Sequence, residues 1–439
     1  MSVLELDGRA APGTFPIPTG RGRWRFTLHR RGFAPNTFDQ TQLLELGLSA
    51  RSRSLTRAWD APAELRFTMN GRAADAAAIQ ELAHEVYAWR WDDQTGADVC
   101  TFRGIIDHSE DVISEQAHTV NFVAHDYLAT LARRPILDAT PVTYTTDQDT
   151  ITAALLARAG GGPTNLIGYQ PGSNLPIAVV LVGADGTTTR AVSGQIRART
   201  YLGGTLIGTA IDQLAKVLAG FDYDVIPEPA AADTLTMIDH TGATGPLGAG
   251  RDALRIFYPA QGVARTDMVL QYGGNVAAVT RTVSSADYAN TIRSLGNNGS
   301  SDPAVAQLIS LQANTDASGV TTGWWPFADT GPSDVNQQAT LDQRAQGLLA
   351  NQGVLVPSYT LTMRPDGYAW GSPNMGDTVP LVIASGRLQV NTTVRVVGIT
   401  WTIGDDGQED VAVVVGRPLT SLGDLLARQT TAINALARR

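Results

Sequence analysis

The sequence predicts a mainly β protein with α+β character: β-rich stretches towards both ends, a mixed α/β centre and a C-terminal helix. Three observations carry this. Short stretches near both ends alternate polar and apolar residues, the period of a half-buried strand. The centre places Ile207, Ile211, Leu214 and Leu218 on one helical face. Residues 419–439 contain no Pro, and no Gly after Gly423, as a terminal helix requires.

The elements follow in order. Residues 23–28 (Arg-Trp-Arg-Phe-Thr-Leu) alternate cleanly, as do 63–69, after which Asn70-Gly71 supplies a tight turn. Residues 85–91, 99–106 and 119–124 complete a run of strands at the spacing of a sandwich or barrel. Only 73–82 reads as a helix there, and it is short. In the centre, 149–159 and 205–219 read as helices, the second closed by Gly220 as a C-cap. Strands are expected at 221–226, 254–258 and 268–272. Strand character returns at 275–283. A Gly/Asn/Ser loop spans 296–302, with helices at 304–311 and 341–351. Strands at 358–363, 378–383, 394–403 and 410–415 follow, the last two joined by Asp405-Asp-Gly407. The domain boundaries expected from this pattern are 1–137 (first β domain), 138–270 (mixed α/β), 271–418 (second β domain with an inserted loop and helix) and 419–439 (helix).

The two β-rich ends resemble each other. Phe102-Arg-Gly-Ile-Ile106 leads through a polar turn to Thr119-Val-Asn-Phe-Val-Ala124. Likewise Val396-Val-Gly-Ile-Thr400 leads to Asp410-Val-Ala-Val-Val-Val415. Each is preceded by a strand ending in Met before a Gly turn, at Met69 and Met363. Either this is an internal duplication, or it is the chance likeness of alternating strands joined by hairpins.

Composition narrows the function classes. At 439 residues, 43% hydrophobic and 17% charged, the chain is long enough for two to four domains and too apolar for disorder. No apolar run approaches the roughly 18 residues of a membrane span; the longest, 175–184, is broken by Pro176 and Gly183. Neither a membrane anchor nor a signal peptide is expected. A single cysteine, Cys100, leaves no internal disulfide framework and no multi-Cys zinc site. Lys216 is the only lysine, so Arg supplies nearly all the positive charge. The net charge of −9 repels phosphate and argues against nucleic-acid capture.

No motif carries chemistry strongly. His29, His84, His108, His118, His125 and His240 lack the spacing of a zinc helix, and His118 and His125 fall on opposite faces of one strand. There is no nucleophile elbow and no phosphate loop. Asp147 and Asp149 fit a helix cap, and 405–410 a solvated hairpin, better than metal sites. Trp324-Trp325 in a loop fits a stacking platform for a sugar; Trp89 and Trp91 fit a core or an interface. Arg21, Arg23, Arg25, Arg30, Arg31, Arg51, Arg53 and Arg57 gather positive charge near the N-terminus, as a polar strand face or a contact with an acidic neighbour. Leu422, Leu426, Gln429, Ile433 and Leu436 form a short heptad seam, suited either to packing on its own domain or to an interface. No catalytic residue, cofactor or metal is expected.

Several stretches resemble the hub (minor tail, tail-associated) proteins at the tip of long-tailed bacteriophages, particularly those of GC-rich actinobacterial hosts. They are Thr119-Val-Asn-Phe-Val-Ala-His-Asp-Tyr-Leu-Ala-Thr-Leu-Ala-Arg-Arg-Pro-Ile136, the helix from Gly204 to Ala215 followed by Gly220-Phe-Asp-Tyr-Asp-Val225, and Gln271-Tyr-Gly-Gly-Asn-Val276 with Ser284-Ser-Ala-Asp-Tyr-Ala-Asn290. Further stretches are Gly376-Asp-Thr-Val379, Arg395-Val-Val-Gly-Ile399 and Asp405-Asp-Gly-Gln-Glu-Asp-Val411. The resemblance implies two related β-barrel domains plus smaller α/β domains, assembled as a ring-shaped homotrimer. It implies a non-enzymatic virion protein at the distal tip of the tail. That protein would meet a distal tail or tail tube protein above and a tip, spike or fibre protein below. A tape-measure protein, and later genomic DNA, would occupy its channel. The alternatives are a tail-borne glycan hydrolase and a carbohydrate-binding adhesin.

Overall fold

The computed structural model of the chain describes residues 23–31, 42–46, 49–92, 96–161, 177–216, 219–227, 236–239, 241–246, 252–283, 285, 288–297, 307–313, 326–329, 338, 341–342, 345–346, 349, 352–353, 355, 357–365, 367–368, 370–405 and 408–416. Two compact units arise: Met1–Val279 with Thr360–Val415, and Thr280–Tyr359 with Gly416–Arg439.

The chain opens with strands β1 (Trp24–Arg30), β2 (Gln42–Glu45), β3 (Arg51–Ala58) and β4 (Glu64–Asn70). Helix α1 (Ala74–Ala78) lasts five residues, shorter than its pattern predicts, because Ile79 is already extended. Strands β5 (His84–Asp92), β6 (Ala97–Ile113) and β7 (His118–His125) form a meander. Asp126 then caps helix α2 (Tyr127–Leu131), accepting from the Leu128 N–H.

The centre follows: β8 (Val142–Asp147), α3 (Gln148–Gly161), β9 (Ile177–Val182), β10 (Ile196–Tyr201), α4 (Ile207–Ala215), β11 (Asp222–Ile226), β12 (Thr236–Ile238), β13 (Thr244–Pro246) and β14 (Asp252–Phe257). Five of these strands form one sheet in the order β11-β14-β9-β12-β13, with β9 and β14 parallel; β8 and β10 form a separate pair. β9 is buried along its whole length, so residues 177–182 of the apolar run form an interior strand. α4 buries Ile207, Ala210, Ile211 and Leu214, the face its spacing predicts, in a core shared with α3, β9 and β14. Ile207, Ile211 and Leu214 each contribute about 1.5–3 kcal/mol on burial. Past α4, the residue with positive φ is Ala219 (+55°), not the expected Gly220.

The remaining strands are β15 (Leu270–Gln271), β16 (Val276–Thr282), β17 (Thr291–Asn297), β18 (Gln307–Ala313), β19 (Pro326–Asp329), β20 (Ser358–Met363), β21 (Thr378–Ser385), β22 (Leu388–Ile403) and β23 (Glu409–Gly416). β17, β18 and β19 make the small sheet of the second unit. The helix expected at 304–311 is corrected: 307–313 is β18, paired with β17 from Asn297 to Thr291. Ser310 is buried between exposed Ile309 and Leu311, the alternation of a strand, and pairing overrides a pattern too short to settle a helix. The described residues between 341 and 349 are helical, as expected.

The principal sheet has thirteen strands, in the order β16-β20-β23-β22-β3-β4-β7-β6-β5-β1-β2, with β21 and β15 off this path. It therefore contains the internal repeat as topology. Strands β3 to β7 lie in the order β3-β4-β7-β6-β5. Strands β16, β20, β21, β22 and β23 lie as β16-β20-β23-β22, with β21 on β22. Each set is a Greek-key unit: three consecutive strands form a meander, and the strand before them returns beside the last. Each also contains one long strand, β6 of 17 residues and β22 of 16. The expectation of two closed barrels is corrected: no described sheet closes on itself, and the two units are joined edge to edge where β22 pairs with β3.

The repeat also corrects its own alignment. Matching Gly104 with Gly398 by sequence misplaces the long strands. β6 shifts register against β7 between Ile106 and His108, and β22 against β23 between Val396 and Gly398. These bulges make His108 the counterpart of Gly398 and move the match by four residues. A bulge is a fixed feature of backbone pairing and a better landmark than one glycine.

Candidate functional site

Inside the principal sheet lie charges that the sequence leaves scattered. Glu409, at the start of β23, sits 2.7 Å from the Arg90 guanidinium on β5 and accepts the Trp24 indole N–H at 2.7 Å. The Trp370 ring packs 4.4 Å from the Arg90 guanidinium carbon, so one buried ion pair with aromatic walls ties the first repeat to the second. Arg103 on β6 meets Glu85 at 2.9 Å and Asp252 of β14 at 3.1 Å, while the Tyr127 hydroxyl donates to Glu85. Arg395 on β22 donates to Asp222 and to the Gln261 carbonyl. Arg103–Asp252, Arg395–Asp222 and Arg90–Glu409 join elements 149, 173 and 319 positions apart. Their partners occupy them, and none is set against a nucleophile.

The carboxylates singled out by the sequence have structural work. Asp147 accepts from the Asp149 N–H at the start of α3 and from the Ser193 hydroxyl. Asp149 is buried and held by Arg190 at 2.7 Å. Asp405 lies in a turn at the end of β22. Two carboxyls that the sequence did not flag are perturbed more. Burial pushes Asp126 up to about 7, against two backbone N–H groups, of Ala63 and Leu128, that favour its charge. Asp60 also rises to about 7, through burial and then the neighbouring Asp222.

The histidines disperse. His29 contacts the Thr27 hydroxyl, His84 accepts the Gln80 N–H, His118 pairs with Asp111 and His125 with Asp107. His240 lies outside the described residues. Among the described residues no three His, Cys, Asp or Glu side chains converge as a metal site would. The N-terminal arginines are mostly spent inside the sheet. Arg25 meets Glu45 and Asp98, Arg53 donates to the Gly404 carbonyl, and Arg57 donates to the Thr101 carbonyl. Arg30 and Arg51 stay exposed, and Arg21 lies outside the described residues. Trp91 is buried and Trp89 half-buried, as core residues. Trp324, Trp325 and the seam residues Leu422, Leu426, Gln429, Ile433 and Leu436 lie outside the described residues.

Two open clefts flank the sheet. One of about 450 Å³ is lined by Arg51, Arg72, Asn70 and His118. Another, about 310 Å³, lies over Arg66, Phe67, His108, Glu110 and Phe122. In the second, Glu110 accepts from the Asn121 amide, which also lines the cleft. What the arrangement offers instead is extended strand. The tips of β6 expose Val112 (50%) and Ile113 (72%).

No protein-family model matches the sequence, and no curated protein does. Solved structures do. The 43 kDa tail protein of prophage MuSo2 from Shewanella oneidensis matches with a TM-score of 0.52 at 14% identity, over 90% of this chain and 98% of that one. The tail protein from Neisseria meningitidis MC58 matches with a TM-score of 0.52 at 11% identity, over 90% of this chain and 96% of that one. At such identities the shared property is the fold, and it extends along nearly the whole of both chains.

Proposed function

We propose that the chain is a structural virion protein of a long-tailed phage: a homotrimeric hub at the distal end of the tail tube, which adapts a six-fold tube to a three-fold tip. The observation that carries this reading is the duplicated Greek-key unit joined into one sheet. Three chains with two units each present six equivalent β units, and a closed ring against a six-fold tube needs that number. A fold shared end to end with two tail proteins supports the reading. So does the occupation of the buried charges of Arg90, Arg103 and Arg395 by structural partners.

In this reading the domains follow the boundaries 1–137, 138–270, 271–418 and 419–439. The six β units contact a distal tail or tail tube protein above. The seam of Leu422, Leu426, Gln429, Ile433 and Leu436 hands over to a tip, spike or fibre protein below. A tape-measure protein occupies the channel until DNA leaves through it without specific binding. The −9 charge per chain fits transit, because acidic walls do not hold phosphate.

Native mass measurement of the purified protein tests this: three chains are expected. A stable monomer that releases sugars from cell walls would sink the reading in favour of a glycan hydrolase. Removing residues 419–439 is expected to leave the sheets folded and to abolish attachment of the next tip protein.

A further inference from the structure

The cleft of about 450 Å³ lies where β3, β4 and β7 meet, and one chain supplies all of it. Arg51 opens β3 opposite Thr68 of β4, and Asn70 ends β4 opposite Thr119 of β7. Arg72 follows in the turn after β4, and His118 begins β7. The cleft has the opposite sign to the chain. The sequence holds 42 acidic residues against 33 Lys and Arg, yet two arginines and a histidine line the cleft and no Asp or Glu does. Among the described residues no acceptor takes the guanidinium of Arg51 or Arg72. Those of Arg53, Arg57, Arg90 and Arg103 are tied down inside the sheet.

The wall offers donors. Asn70 Oδ1 accepts the Arg72 backbone N–H at 3.0 Å, which leaves the side-chain NH2 of Asn70 as a donor. His118 Nε2 is bonded to Asp111 at 2.6 Å, so Nδ1 is its remaining polar atom. Gly71 gives the imidazole room, since a Cβ there would lie 2.5 Å from the ring. The backbone is bent to build this wall. β3 shifts register between Arg51 and Ser54, and Ser52 takes φ +48°, in the left-handed region that favours glycine. The bulge sends Arg53 inward to the Gly404 carbonyl and leaves Arg51 and Ser52 both exposed on the same cleft. A regular strand would send two successive side chains to opposite faces. Backbone strain of this kind clusters at ligand clamps.

We propose that this cleft binds a phosphate-bearing sugar or polyol. A guanidinium matches phosphate and carboxylate alike, but the donors here come from β3, from the turn after β4 and from β7. A tetrahedral phosphate presents oxygens to several such groups at once, whereas a planar carboxylate suits a single fork. The volume is that of a small-molecule site, and the hydroxyl and amide walls suit a hydroxylated body. The acidic remainder of the chain repels phosphate and confines capture to this place. Because one chain completes the cleft, the site stands or falls separately from the hub reading.

Calorimetric titration of the full chain tests it, with glucose 1-phosphate, glucose and acetate as probes. Saturable binding of glucose 1-phosphate is expected, with none of glucose and much weaker binding of acetate. Arg51→Ala and Arg72→Ala are each expected to weaken it by about tenfold or more, the loss of a charged hydrogen bond. Arg30→Ala removes the same charge from exposed β1 outside the cleft and is expected to change nothing. No binding by the wild type, equal binding of acetate, or an equal loss in Arg30→Ala overturns the site. If neither cleft variant folds, hydrogen exchange in the wild type decides: glucose 1-phosphate is expected to slow it at 68–73 and 116–119, and unchanged exchange there overturns the site. Poly(glycerol phosphate) that displaces glucose 1-phosphate marks a phosphodiester polymer as the source of the ligand, and failure to displace marks a free sugar phosphate. A thymidine octanucleotide that displaces it as well as the polymer does overturns the assignment to a sugar or polyol.

Discussion

Single residues set the internal charges, and their removal is costly in a predictable order. Glu409→Ala leaves Arg90 buried without its partner and is expected to cost about 3–5 kcal/mol in denaturant unfolding. The double variant Arg90→Met with Glu409→Leu should lose much less, because two apolar side chains need no counter-charge. Equal losses would show that the pair is not buried as described. Asp126 carries a pH dependence with a definite sign. Its folded pKa of about 7 lies above the ordinary carboxylate value. The native state therefore keeps a proton that the unfolded chain releases near pH 4. This contribution is complete below pH 4 and is lost as pH rises through about 7. Asp60 acts in the same direction. Denaturant midpoints measured at pH 5 and pH 8 should fall with pH in the wild type and fall less in Asp126→Asn. None of these partners is legible in sequence. Arg90 and Glu409 lie 319 positions apart, and nothing local marks either as buried.

At the level of elements, alternation found most strands of the principal sheet because one face of each is buried and the other is not. β9 escaped for the opposite reason: buried on both faces, it has no alternation to read. Residues 304–311 read as a helix because nothing local records the pairing of β18 with β17. One loop crossing depends on glycine absolutely. Gly262 has φ +90°, and a Cβ there would lie 1.9 Å from the Gly376 carbonyl carbon; Gly376, at φ +82°, faces the Gln261 carbonyl. Gly262→Ala should therefore destabilise the protein by about 3 kcal/mol or more, from backbone strain and the clash together. Urea unfolding measures it, and a loss below 1 kcal/mol would mean that the two loops do not cross this closely.

For the whole molecule, the sequence pointed to two related β-rich ends and placed the α/β segment between them, and the topology agrees with the order of those elements. Self-association is the prediction at this scale, and native mass measurement checks it. The sequence by itself determined the strand periods, the amphipathic face of α4 and the repeated order of strand, turn and strand. These depend on neighbours a few positions away, and local patterning records them. Only the tertiary structure decided that both repeats share one open sheet, that β22 carries β3, and that four residues separate the sequence match from the true register. It also decided which charges meet in the interior. Strand partners and ion pairs are chosen by backbone hydrogen bonding and burial between segments far apart in the chain. That β22 pairs with β23 on one side and with β3 on the other is known only once the strands are ordered in space.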